Sequence, residues 1–244
     1  MTTETAVPST PVRKIVVSGV LGAVAIFLGW SHLGFIPWIA GAALTIMHVP
    51  VIIGAVLEGP WVGTAIGLIF GLFSLLQAVI APTGPVDVWF QNPVISVLPR
   101  LFIGVFAWLT YKAARRISVP WILFMAGVNV GIIAAFTFSL GQSNAAAALF
   151  LAGIGLGGVA ALTYSALKME REPLALVLAA LVGTLTNTVL VLSAIGLFGH
   201  LPWAGLPAIA IANGLPEAVL ASILTVAVVV AWKQIETGTR KSSL

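Results

Sequence analysis

The chain has 244 residues, 60% hydrophobic and 7% charged, with no cysteine and a formal net charge of +4. A mean hydropathy of +1.13, with far fewer charges than the quarter or so usual in soluble domains, predicts a polytopic membrane protein. The positive charge is then read by position, as topology rather than nucleic-acid binding, and the missing cysteines exclude disulfides, thiolate metal sites and a cysteine nucleophile.

Residues 1–12 are polar, with Pro8 and Pro11, and are expected to be a disordered tail before a single transmembrane domain over 13–244. Arg13 and Lys14 lead into an apolar run without a small-residue cleavage site, which reads as an uncleaved first helix. A helical span needs about 20 apolar residues. Eight are expected, near 14–30, 38–57, 61–81, 97–114, 119–139, 146–167, 174–197 and 207–232. Cationic clusters precede the first span and follow the fourth (Lys112, Arg115, Arg116), sixth (Lys168, Arg171) and eighth (Lys233, Arg240, Lys241). With both termini inside, all of them fall on the cytoplasmic face, and Arg100 is left as the cation of the outer side.

The first span carries two overlapping pairs of small residues four apart, Ser18 with Gly22 and Gly19 with Ala23, which let another helix approach closely. Either an internal contact or a partner-binding seam satisfies that pattern. The second span holds Thr45 and His48, then Pro50, and ends at Glu58-Gly59-Pro60. A membrane histidine is a candidate substrate contact, the alternatives being a proton carrier or a ring satisfied by a nearby carbonyl. No second ligand lies at a metal spacing from it. Glu58 is expected to be a structural residue at the inner edge. In the third span Gly63, Gly67 and Gly71 form one smooth ridge, read as packing, and Ser74 and Gln77 carry polarity toward the outer end.

The loop from Ala81 to Asn92, with Asp87, Trp89 and Phe90, suits a lid over an outward cavity. It leads into Asn92-Pro93, Ser96 and Pro99-Arg100, the stretch on which the reading turns. A guanidinium does not deprotonate to escape a low-dielectric site, so Arg100 needs an anion, water or carbonyls beside it; the alternative is snorkelling to a lipid headgroup. The fifth and sixth spans offer no site. In the seventh, Thr184, Asn187 and Thr188 share one face; interhelical polar contacts or a binding cavity both explain them. The eighth has Asn213 and Glu217 one turn apart, and an acid there needs a partner.

His48, Gln77, Asn92, Ser96, Arg100, Asn187, Asn213 and Glu217 thus describe one polar pocket open to the outside, as for a small molecule. No phosphate-binding glycine loop ending in Lys-Ser/Thr, no Gly-x-Ser-x-Gly and no His-Glu-x-x-His occurs, and neither a metal nor a cofactor is expected.

The run from Thr45 through His48 and Pro50 to Gly54, the Gly63-Gly67-Gly71 ridge, Asn92-Pro93 with Ser96 to Arg100, Gly183 to Thr188, and Asn213 to Glu217 resemble the substrate-binding (S) component of energy-coupling factor (ECF) vitamin transporters. The likeness covers most of the chain and is strongest to the branch with pantothenate and folate carriers. It implies an all-α, six-helix membrane core that takes a vitamin or vitamin precursor, pantothenate first, from outside, in the bacterial cell membrane. Its partners would be membrane lipid, a transmembrane coupling subunit and two ATPases, with docking through the small-residue face of Ser18, Gly19, Gly22 and Ala23. The chain departs from the family in an inserted hairpin over 118–168. Two other readings compete: an integral-membrane enzyme using His48, Arg100 and Glu217 on a lipid or prenyl substrate, and a non-catalytic scaffold. The enzyme would lack the carboxylate clusters of a metal site.

Overall fold

The computed structural model describes residues 10–37, 43–82, 84–116 and 171–242, with isolated positions between 118 and 167. Residues 1–9 of the expected tail, and nearly all of the spans expected at 119–139 and 146–167, lie outside the described residues. The chain forms two compact units, one of Met1–Tyr111 with Leu176–Leu244 and one of Lys112–Ala175. In the second, Arg115 pairs with Glu172 at 3.2 Å. The elements below build the first.

Helix α1 (Pro11–Trp30) begins where the Thr10 hydroxyl oxygen accepts from Arg13 N at 3.3 Å, with Pro11 in the first turn, where no helical donor is required. The chain then folds back through strands β1 (Phe35–Pro37) and β2 (Ala43–Thr45), antiparallel with Phe35 opposite Thr45. Only after this hairpin does α2 (Val49–Glu58) start. One continuous helix over 38–57 was the expectation, and Pro50 overturns it. Deep inside a helix its ring would meet the Ile46 carbonyl and it would donate nothing, so it is placed in the first turn of α2. Thr45 therefore lies on a strand, and His48 is the residue just before the helix.

The length of α2 sets the distance of His48 from Glu58. Ten residues rise about 15 Å, half of a hydrocarbon core about 30 Å thick. Its far end, Glu58, is ion-paired to Arg13 at the start of α1. His48 is thus a ten-residue helix away from the Glu58–Arg13 pair, with the hairpin on its other side. Irregular backbone is tolerated there when protein or a cavity surrounds it; Leu44, Met47 and His48 are buried.

Gly59, at φ +100°, a conformation that L side chains rarely adopt, reverses the chain into α3 (Pro60–Ile80). The glycine ridge of α3 faces the next segment closely. A Cβ on Gly63 would lie 2.8 Å from Gly104 Cα, one on Gly71 2.8 Å from Val97 Cα, and one on Gly67 would run into the Arg100 carbonyl. The ridge is packing, as expected, and what it packs is the backbone that carries Arg100.

The span expected over 97–114 is α5 (Leu98–Ala114); a short helix that was not expected, α4 (Pro93–Ser96), precedes it and is set off from it at Val97. A 3₁₀ turn over Asp87–Gln91 precedes α4. Helix α6 (Arg171–Leu197), a 3₁₀ turn over Trp203–Gly205 and helix α7 (Leu206–Ser242) follow. The 37 residues of α7 would rise about 55 Å, more than the hydrocarbon core. Asn213 to Glu217, expected at the opening of the last helix, lie about two turns into it, with Pro216 inside the helix. Five stretches among the described residues are long and apolar enough to cross a membrane: Pro11–Trp30, Pro60–Ile80, Pro93–Ala114, Arg171–Leu197 and Trp203–Glu236. Apart from the one hairpin, the described chain is an all-α membrane protein.

Candidate functional site

Arg100 is buried in the first turn of α5, 5% exposed. Pro99 explains where its guanidinium goes. Proline has no N–H, so the Ile95 carbonyl four residues earlier loses the donor that a regular helix would supply. Arg100 NH1 donates to that carbonyl instead. Phe70 of α3 and Phe90 of the 3₁₀ turn set their rings 5.3 and 5.2 Å from the guanidinium carbon. Such ring faces favour a cation, but they accept no conventional hydrogen bond from Nε, which is buried without a partner among the described residues.

His48 is completely buried. Its Nε2 lies 2.9 Å from Thr184 Oγ1 on α6, and its Nδ1 has no partner among the described residues. Thr184, Asn187 and Thr188 are all buried, as the shared face predicted. Thr188 satisfies its hydroxyl within the helix by donating to Thr184 O at 3.2 Å. Asn187 Oδ1 has no donor among the described residues. Glu217 of α7, also buried, accepts from Thr45 N at the end of β2 at 2.7 Å. Gly214 lets α7 approach α6 at this level, since a Cβ there would be 3.3 Å from Thr188 Cγ2.

The Arg100 charge acts on both His48 and Glu217. Yet among the described residues neither Arg100 nor Glu217 has an ion-pair partner, and the two do not reach each other. Four elements thus bring a cation, an anion, an imidazole and an amide to one level, each retaining unused hydrogen-bonding capacity. Within a membrane such capacity costs several kcal/mol per group when nothing answers it. The arrangement suits a small polar molecule that carries an anionic group.

The other candidates fall in two classes. Asn92 and Ser96 are spent on the local backbone: Asn92 Oδ1 accepts from Val94 N at 2.9 Å as the N-cap of α4, and Ser96 Oγ donates to Asn92 O at 3.0 Å. They hold the segment that presents Arg100. Gln77 and Asn213 are half-buried, and no side-chain hydrogen bond ties either to the cluster among the described residues. The small residues of α1 divide: Gly22 is buried, and a Cβ there would meet Ile69 Cδ1 at 2.6 Å, whereas Gly19 and Ala23 are exposed.

The loop before α4, which brings Phe90 to Arg100, is tied down at two points. Gln91 Nε2 donates to Ala78 O at 3.0 Å, and Trp89 stacks on His200, with centroids 5.2 Å apart. Sequence reasoning missed Phe70 as a wall of the site, and Thr45 N as a donor to Glu217. No residue-type signal marks a backbone N–H. The proline four residues after Ile95 did mark a free carbonyl, and the cation next to it as its taker.

Residues 13–229 match the family described as "ECF transporter, substrate-specific component". The chain is 34% identical over 195 residues to the pantothenic acid transporter PanT of Lactococcus lactis subsp. cremoris, covering 76% of this chain and 75% of that protein. It is also 34% identical over 90 residues to the pantothenate transporter PanT of Leuconostoc mesenteroides subsp. mesenteroides, covering 37% of this chain and 43% of that protein.

Proposed function

Because the chain belongs to the substrate-specific components of ECF transporters, a family of multi-pass cell-membrane proteins, we propose that its own cargo is pantothenate, bound with its carboxylate on Arg100. The relatives named as pantothenate transporters support the cargo. The observation that carries the site is the buried guanidinium. Arg100 has no counter-ion among the described residues, and its charge-bearing group keeps a buried, unpartnered Nε. A carboxylate arriving from outside supplies the missing acceptor, in a geometry to which guanidinium is suited.

In this reading the protein captures and orients its cargo and carries out no catalytic step. Coupling to ATP hydrolysis belongs to a separate transmembrane subunit with two ATPases. The exposed pair Gly19 and Ala23 on α1 is the surface proposed to seat on that subunit, while Gly22 serves α3. The proposed topology places both termini inside, with a six-helix core and an inserted hairpin making eight spans, and it puts the Arg100 level toward the outer face.

The test is thermal melting of the purified protein with a panel of water-soluble vitamins and precursors. A ligand that binds only the folded state raises the melting temperature by mass action. Pantothenate is expected to raise it, and Arg100→Ala to shrink the rise sharply at the same ligand concentration while the protein still melts cooperatively. A rise with a different vitamin and none with pantothenate would overturn the cargo. An undiminished rise in Arg100→Ala would overturn the site.

A further inference from the structure

With Arg100 assigned to the cargo carboxylate, the polar groups left over are of the opposite kind. Glu217 is a buried carboxylate with one hydrogen bond, from Thr45 N, and no ion pair among the described residues. An ionised carboxylate offers about four acceptor positions and no donor. Asn187 Oδ1, also buried, is a second acceptor lacking a donor. His48 Nδ1 takes whichever role its tautomer leaves.

An anion entering a site that already holds a buried carboxylate is repelled unless it brings hydrogen-bond donors to that carboxylate. Arg100 and Glu217 stand apart, each within electrostatic reach of the other but not paired. A cargo that fits between them is acidic at one end and rich in O–H or N–H groups at the other. Pantothenate has this polarity: a carboxylate at one end, an amide in the middle, and two hydroxyls at the other end, flanking a dimethyl carbon.

Building on the pantothenate reading, we infer that Glu217, together with Asn187 on the helix that Gly214 abuts, is the specificity-determining group that reads the hydroxyl and amide N–H donors of the cargo. The site therefore refuses acids of the same size that lack those donors. Such refusal is the strong form of discrimination, because an apolar group placed against a buried acceptor leaves it dry and unpaired.

The test uses three probes in isothermal titration of the purified protein. They are pantothenate, pantothenol (carboxylate replaced by hydroxymethyl) and N-(3,3-dimethylbutanoyl)-β-alanine (both hydroxyls replaced by hydrogen). The wild-type protein is expected to prefer pantothenate to the deoxy acid by about 10- to 100-fold, the range for hydrogen bonds to charged groups. Glu217→Met should bring that preference to near unity while the preference over pantothenol persists. Glu217→Gln, which keeps an acceptor for Thr45 N, should give an intermediate ratio. Arg100→Ala should do the reverse, erasing the preference over pantothenol and leaving the preference over the deoxy acid.

Residual binding of any probe shows that a variant is folded, and Glu217→Gln decides should Glu217→Met not fold. A merely structural Glu217 would lower all affinities together and leave the ratios unmoved, which sinks the inference. Equal wild-type affinity for pantothenate and its deoxy analogue sinks it as well, with the cargo assignment intact. A wild-type protein that binds none of the three takes down the pantothenate reading and this inference with it.

Discussion

Two buried acids, Glu58 and Glu217, occupy opposite ends of the same arrangement and are treated differently. Glu58 closes α2 with its side chain 1% exposed, and it is held by Arg13, whose other arm reaches Glu236 of α7 at 2.7 Å. Trp232 Nε1 adds a bond to Glu236 at 3.0 Å. This end of the structure is an ionic clasp across α1, α2 and α7, in which Glu58 Oε1 is held by Arg13 and Oε2 has no hydrogen-bond partner among the described residues. Glu217 and the Arg100 cation, by contrast, remain unpaired among the described residues, and His48 and Asn187 keep unpartnered atoms. A buried charge whose partner lies in the protein serves stability or geometry; one left without a partner is poised for something that is not part of the chain. The short helix α2 joins the two regions, with His48 at its head and Glu58 at its foot.

The contrast breaks most visibly at the two arginines. Arg100→Ala is expected to weaken pantothenate binding by about 2–5 kcal/mol, the cost of truncating one side of a buried charged contact, or about 30- to several-thousand-fold in Kd by titration calorimetry. The melting temperature of its ligand-free form should hold or rise, since an uncompensated buried cation has been removed. Arg13→Ala should do the opposite. Leaving Glu58 buried and alone costs about 3–5 kcal/mol in a fully buried pair, and about 1–3 kcal/mol here because Arg13 is 27% exposed. The readout is a lowered melting temperature with little change in Kd. Glu58→Gln in the Arg13→Ala background should recover most of that loss, and no recovery would show that the clasp does not act through charge.

Gly67→Ala probes the link between packing and site. Its methyl would press on the Arg100 carbonyl, so α5 must shift, at about 1–3 kcal/mol of stability. Affinity should fall along with it, because Arg100 moves. Affinity unchanged at reduced stability would separate the ridge from the site. The smallest effect is expected for Asn92→Ala, which removes the cap of α4 at about 1 kcal/mol. A loss of affinity as large as that of Arg100→Ala would instead make Asn92 a direct cargo contact.

Much of this was legible in the residues. The apolar runs located α1, α3, α5, α6 and the apolar part of α7 to within a few residues, because hydrocarbon selects length and composition directly. The rare polar groups His48, Arg100, Asn187 and Glu217 stood out for the same reason, each being costly in that medium. The second span failed because hydropathy does not distinguish an apolar strand pair from an apolar helix; Pro50 carried that information. Asn92 and Ser96 were read as candidate contacts, but side-chain oxygens that follow or precede a helix start are as readily consumed by its backbone.

Chemistry local to one stretch of chain therefore decided the membrane setting, the helix lengths and which polar residues are exceptional. Pro99 even selected the partner of Arg100 NH1, since the carbonyl it frees is four residues away on the same strand of covalent bonds. Pairing across long separations was decided by packing alone. Arg13 meets Glu58 while Arg100 does not meet Glu217, and both outcomes depend on how closely helices approach. Three glycines on α3 set its approach to α5, and one on α7 its approach to α6, through the side chains they lack; whether two opposite charges touch is a matter of a few ångströms that residue type does not encode.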